Sequence, residues 1–148
     1  MTVDFDDPAA LATASAAAMW RDDSTSQHLG MVLEHVAPGE ATVSFTVTGT
    51  MTNGHKTCHG GYLFTLADSA FAFACNSYNQ RAVARHCDIT FIAPAYLDDR
   101  LTATAKEVSR GGRDGIYDVR IINQKGEHVA EFRGQSRTVK GTHLPTPA

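Results

Sequence analysis

GGYLFTLADSAFAFACNSYN, residues 60–79, decides the architecture of this chain. Apolar or small side chains fall on every side of a helix drawn through it, the pattern of a helix enclosed by protein. Before it, Gly49 to Cys58 reads as a loop carrying two glycines, Asn53 and His55. Further upstream, Val43, Phe45 and Val47 alternate with Thr42, Ser44, Thr46 and Thr48, giving a strand with one dry face. With Leu29 to Val36 that strand makes a predicted hairpin around Ala37-Pro38-Gly39-Glu40. Asp7-Pro8 reads as a helix cap and first helical residue, with the helix running to about Arg21 and broken by the polar stretch Asp22 to Gln27. Downstream, strands are predicted over roughly Ala82–Ile92, Leu101–Ser109, Gly115–Ile122 and Glu127–Val139, with tight turns at Arg110–Asp114 and Asn123–Gly126. Short turns make antiparallel neighbours. The expected class is α+β: a long central helix, an antiparallel sheet of five to six strands around it, and a short N-terminal helix.

The 148 residues suffice for one domain with a real core. At 43% apolar and 20% charged, the composition excludes extended disorder and fibrous repeats. A net charge of −3 argues against a general nucleic-acid binder. Asp4, Asp6 and Asp7 precede the first basic residue, Arg21, so neither a secretory signal nor a transit peptide is expected. No apolar run approaches the ~20 residues that cross a bilayer. A cytoplasmic protein with no membrane partner is expected. Cys58, Cys75 and Cys87 are odd in number and lack CxxC spacing, so neither a disulfide framework nor a zinc site is expected.

Asp68 is the only charged side chain between Gly60 and Gln80, in a helix otherwise built for burial. Burying a carboxylate is costly, so such a group is paired, protonated or kept for a function. His59-Gly60-Gly61 adds a second signal, because two glycines opening a helix leave backbone N–H groups accessible to a negatively charged oxygen. An acyl-transfer enzyme needs such donors aimed at its oxyanion. Cys58-His59 is a poor nucleophile–base pair, since adjacent side chains diverge. His55 and His59 lack a third metal ligand at convincing spacing and suit loop hydrogen bonds. His86 and Cys87 read as strand packing.

NGHKTCHGGYLFTLAD (53–68) resembles the helix-opening motif of hotdog-fold acyl-CoA thioesterases. AFAFACNS (70–77), DITFIAPA (88–95) and GIYDVRIIN (115–123) resemble the phenylacetate-degradation, PaaI-type branch, and the resemblance runs from about Gly30 to Thr138. It implies a hotdog fold working as a homodimer or homotetramer (a dimer of dimers). The expected division of the chain is an N-terminal helix and linker (1–28), the hotdog domain (29–140) and a flexible tail (141–148). By the same resemblance Asp68 is the catalytic carboxylate, Gly60 supplies the N–H that polarises the thioester carbonyl, and His59 and Asn53 shape the site. Apart from the resemblance, Gly61 and Phe64 on this helix are candidates to contact the acyl group. Related enzymes often use a hydroxyl to assist the water, one helical turn after the acid or on the next strand. Those positions are Ala72 and Ala84 here, which leaves Asn53 or Ser69 as substitutes.

The implied function is hydrolysis of a small aromatic thioester of coenzyme A, of the phenylacetyl or hydroxyphenylacetyl type. Coenzyme A is part of that substrate, with no further cofactor and no metal expected. The alternatives are a non-catalytic acyl-CoA sensor and a hotdog thioester dehydratase using His59 with Asp68. A distance argument bears on the assembly. Gly60 and Asp68 are eight residues apart, roughly 12 Å along one helix. Base and oxyanion donor must flank one carbonyl, so two antiparallel helices related by a two-fold axis are expected to share the site. Lys106 to Lys140 carries eight basic against five acidic residues. Arg110, Arg113 and Arg137 in this segment are candidates for the phosphates of coenzyme A.

Overall fold

Asp7 starts the first helix as its sequence requires, its carboxylate accepting from the N–H groups of Ala9 and Ala10, and α1 runs Pro8–Asp22. The computed structural model describes residues 2–147; residues 1 and 148, the outer ends of the expected 1–28 and 141–148 segments, lie outside the described residues. The polar stretch after α1 does not stay open. Asp23 caps a second helix, α2 (Ser24–His28), by accepting from the Ser26 N–H at 3.0 Å. The reason is tertiary: the buried Ser26 hydroxyl donates to Asp23 at 2.6 Å and meets the Ser69 hydroxyl at 3.0 Å.

Two strands follow, β1 (Val32–Ala37) and β2 (Glu40–Thr46), then the central helix α3 (Gly60–Cys75). The chain continues through β3 (Ala82–Phe91), β4 (Arg100–Gly111), β5 (Asp114–Ile122) and β6 (His128–Thr138). All six strands form one antiparallel sheet in the order β1-β2-β4-β5-β6-β3, so β1 and β3 are its edges. This is the expected α+β wrap, with α3 packed on the inner face against β2, β4 and β5. Buried alanines on both sides, Ala41, Ala103 and Ala105 of the sheet and Ala67, Ala70 and Ala74 of the helix, allow a close approach. Phe71 reaches furthest. Its ring occupies the space a side chain at residue 134 would need, a Cβ on Gly134 lying 2.8 Å from three ring carbons. There it packs against Tyr117 and Phe132, with centroids 5.7 and 5.8 Å away.

The helix stops at Cys75, four residues before its apolar pattern does. Asn76 ends it: the buried amide donates to the carbonyls of Ala72 at 2.8 Å and Ala82 at 3.1 Å, and its oxygen accepts from the Ala82 N–H at 2.9 Å. One side chain therefore closes α3 and starts β3. Part of the segment expected to be flexible is also tied down here. Asn79 accepts from the N–H groups of His143 and Leu144, and the His143 ring lies 2.7 Å from the Asn76 oxygen. Asn76→Ala orphans buried backbone groups, so it is expected to cost about 2 kcal/mol, read as a lower chemical-denaturation midpoint at unchanged slope.

The helix is not enclosed on all sides by its own chain. Gly61 is exposed, and Thr65, Asp68 and Ala72 are half-buried, four positions at helical spacing that form one open stripe. The neighbouring edge strand β3 is open too: Val83, Ala84, Arg85 and His86 are all exposed around a bulge.

Candidate active site

The loop before α3 is built from side-chain chemistry. Asn53 accepts from the N–H groups of His55 and Thr57, at 2.9 and 3.2 Å, and donates to the Thr57 hydroxyl at 3.0 Å. The loop is then pinned where Cys58 N–H donates to the Ala95 carbonyl and His59 N–H to the Met51 carbonyl, both at 2.7 Å. Thus the helix begins at a fixed place. His59 is its N-cap, with Nδ1 accepting from the Gly61 N–H at 3.0 Å, and its carbonyl accepts from the Tyr62 N–H at 2.9 Å. In this first turn Gly60 keeps its N–H without an acceptor among the described residues. The helix opening therefore presents one free donor at its positive end, at the residue the sequence singled out.

Asp68 stands two turns along the open stripe. Burial alone pushes its carboxyl above the ordinary carboxylate range, with no cation or donor pulling it back. A raised, unpaired carboxylate suits a group that takes a proton from water. Phe64 lies one turn earlier, half-buried, with its ring edge-on to Phe132 at 5.3 Å.

Neither substitute suggested for water positioning is free. Ser69 is held by Ser26 of α2, and both polar ends of the Asn53 amide are engaged within its own loop. Ala84 sits at the β3 bulge and brings no hydroxyl. Cys58 is inert, since burial pushes its thiol up to about 11. The described residues hold no group of three or more metal-ligating side chains.

The basic candidates separate. Arg110 lies flat on Tyr78, its guanidinium carbon 3.6 Å from the ring centroid, and its Nε is 3.4 Å from Glu107. A bulge in β4 between Glu107 and Ser109 accompanies this cluster, in which Glu107 accepts from the hydroxyls of Tyr78 and Tyr117, each at 2.9 Å. Arg110 and Arg113 share a cavity of ≈ 360 Å³ between the end of α3 and the β4–β5 hairpin. Arg137 lies outside it, 3.8 Å from Asp114, which also pairs with Arg85.

A second cavity, ≈ 420 Å³, opens beside Gly60. Its walls include Cys58, Leu63 and the run Phe91 to Ala95. Phe91 is the contact that sequence reasoning missed. A Cβ on Gly60 would lie 2.8 Å from the tip of that ring, so the glycine serves a packing need as well as an open N–H. Nothing local to either residue announces the pairing; only an aromatic near the end of a predicted strand was visible.

Comparison with known proteins agrees with this geometry. The thioesterase superfamily model matches residues 55–130, which include the end of the loop, α3 and strands β3 to β5. The acyl-coenzyme A thioesterase PaaI of Escherichia coli is 47% identical over 128 residues, 86% of this chain and 91% of that protein. The solved E. coli PaaI protein, from the phenylacetic acid degradation operon, superposes with a TM-score of 0.90 at 45% identity, covering 92% of this chain and 99% of that one. A hypothetical thioesterase protein of Streptococcus pneumoniae, solved with coenzyme A, superposes with a TM-score of 0.73 at 28% identity, covering 76% of this chain and 88% of that one. With its central helix α3 wrapped by one six-stranded antiparallel sheet, the chain has the hotdog fold and belongs to the thioesterase superfamily.

Proposed function

We propose that this protein hydrolyses phenylacetyl- and hydroxyphenylacetyl-type thioesters of coenzyme A in phenylacetate breakdown. One observation carries the reading: an unpaired, half-buried carboxylate, Asp68, and a single free helix-opening N–H, Gly60, in a thioesterase-superfamily chain. The E. coli relative's operon supports the aromatic acyl group. Asp68 takes a proton from water as the water oxygen attacks the thioester carbon. Gly60 N–H and the helix dipole stabilise the oxyanion. Collapse breaks the C–S bond, and the thiolate of coenzyme A leaves and is protonated. Direct attack by Asp68 through a mixed anhydride is the same chemistry with hydrolysis second.

His59 and Asn53 act through the loop by fixing where the helix starts. Gly61 and Phe64 contact the acyl group; Phe64 is favoured by lying one turn from Asp68. Arg110 and Arg113, facing one cavity, receive the phosphates of coenzyme A, and Arg137 meets the outer end of the nucleotide. Coenzyme A arrives as part of the substrate. No helix among the described residues is long and apolar enough to cross a membrane, and we place the enzyme in the cytoplasm. Residues 29–140 are the catalytic domain, with 1–28 as a helical addition and 141–148 as a tail.

The working unit is a homodimer or a homotetramer built as a dimer of dimers, with sites between subunits. The open stripe of α3 and the exposed Val83, Ile92, Tyr96 and Leu97 on and beyond β3 support a two-fold partner there. A dehydratase is disfavoured because His59 Nδ1 is committed to Gly61, and a sensor because Asp68 is present and unpaired.

The test is a panel of arylacetyl, short-chain and long-chain acyl-CoAs assayed for free thiol. Arylacetyl thioesters should give the highest kcat/KM, by about tenfold over palmitoyl-CoA. A palmitoyl preference would replace the aromatic assignment, hydration without thiol release would install the dehydratase, and binding without turnover would install the sensor.

A further inference from the structure

Phe91 ends β3, paired with Ala130, at the point where the chain leaves the sheet; beyond it Ile92 and Ala93 both donate to the Val129 carbonyl. Its backbone is therefore fixed while its ring is 54% exposed, which is unusual for so large an apolar side chain on a well-paired strand. The ring points end-on at Gly60. A Cβ there would lie 2.8, 3.1 and 3.3 Å from its Cζ, Cε1 and Cε2. The first helical turn thus reserves this space for the ring. Together Phe91 and Gly60 form part of the wall of the ≈ 420 Å³ cavity, which Leu63 and the run Ile92 to Ala95 make mostly apolar, with Thr57 as its polar side chain. Cys58, also in that wall, has its thiol held neutral by burial.

We infer that Phe91 is the specificity-determining residue of this site, the wall that sets the depth of the acyl pocket and keeps water from the flank of the Gly60 N–H. A flat ring one methylene from the carbonyl fits a short apolar cavity of this size. A long linear chain would have to displace the Phe91 ring. The inference rests on the thioesterase reading and deepens it, naming a residue that contacts the acyl group from an element outside the catalytic loop and helix. It also explains why residue 60 has no side chain: an alanine would keep the N–H but drive the ring away.

The experiment measures kcat/KM for phenylacetyl-CoA and decanoyl-CoA in wild type, Phe91→Ala and Phe91→Leu, with thermal melting as the folding control. Phe91→Ala should move the phenylacetyl-to-decanoyl ratio toward the linear chain by about tenfold or more, and Phe91→Leu should move it by less. A general loss of folded protein lowers both rates and leaves the ratio alone. Gly60→Ala supplies a second reading. It should shift the ratio in the same direction in the wild-type background and add little in Phe91→Ala, because the clash partner is gone. If wild type releases thiol from phenylacetyl-CoA and the ratio stays within about threefold in both Phe91 variants, the specificity role is overturned and the thioesterase reading stands. If wild type releases no thiol from any acyl-CoA, the reading falls and takes this inference with it.

Discussion

Asp68→Asn is expected to lower kcat about a thousandfold while leaving KM for the acyl-CoA near its wild-type value. The amide keeps the size and most contacts of the carboxylate but cannot take a proton from water or attack a carbonyl, and general-base catalysis is worth roughly 10²–10⁴ in rate. Stability should move the other way. Burial raises the Asp68 pKa in the folded chain, so the charged form opposes folding. That penalty is absent below the ordinary carboxylate range, grows as pH rises from there to the folded-state value, and is complete above it. Removing it should leave the neutral-pH Tm unchanged or raise it, with the difference vanishing in acid. In the active protein, the acid limb of kcat/KM should lie above the ordinary carboxylate range. Steady-state kinetics and melting across pH check all three. Activity within about threefold of wild type would remove Asp68 from the mechanism.

The start of the helix and the place of its lone acid were legible because they are local. Two glycines and one acid in an apolar run mark where α3 begins and what it carries, whatever the remaining chain does; that His59 caps it was not read. Its end was less legible, because Asn76 stops it through bonds to Ala82, a residue that must first be folded back. The same holds for α2, whose five residues make a helix only with Asp23 as cap and Ser69 of α3 as partner. Strand β3 was found by composition, but its exposure was not, since alternation cannot distinguish a central strand from a bulged edge. Gly60 is the instructive middle case. Its glycine was read as room for a ligand, and its N–H is indeed free; the space on its Cβ side is taken by Phe91, thirty-one residues away, a pairing only the fold creates.

Two inactive variants, mixed, should recover activity. Asp68→Asn removes the proposed base, and Gly60→Pro removes the proposed oxyanion N–H at the first helical position, where proline fits the backbone. The proline ring also meets Phe91, so Gly60→Ala serves as the control that adds a Cβ and keeps the donor. The drop from the alanine to the proline variant then reports the N–H itself, expected at about 10²–10³ in kcat. Co-expressed with different tags and purified as mixed oligomers, the two variants pair in a two-fold dimer so that one site joins Asp68 of the proline chain to Gly60 of the asparagine chain. The other site carries both lesions. About half the wild-type rate per mixed dimer should return. Within one chain the two residues lie roughly 12 Å apart along α3, too far to flank a single carbonyl. If they nevertheless acted within one chain, each site would keep one lesion and mixing would restore nothing. Mixed dimers that are folded, paired by both tags and still inactive would sink the intersubunit site. Recovery near half would place the open stripe of α3 against its two-fold copy, where the unpaired carboxylate meets the one helix-opening donor that its own chain leaves free.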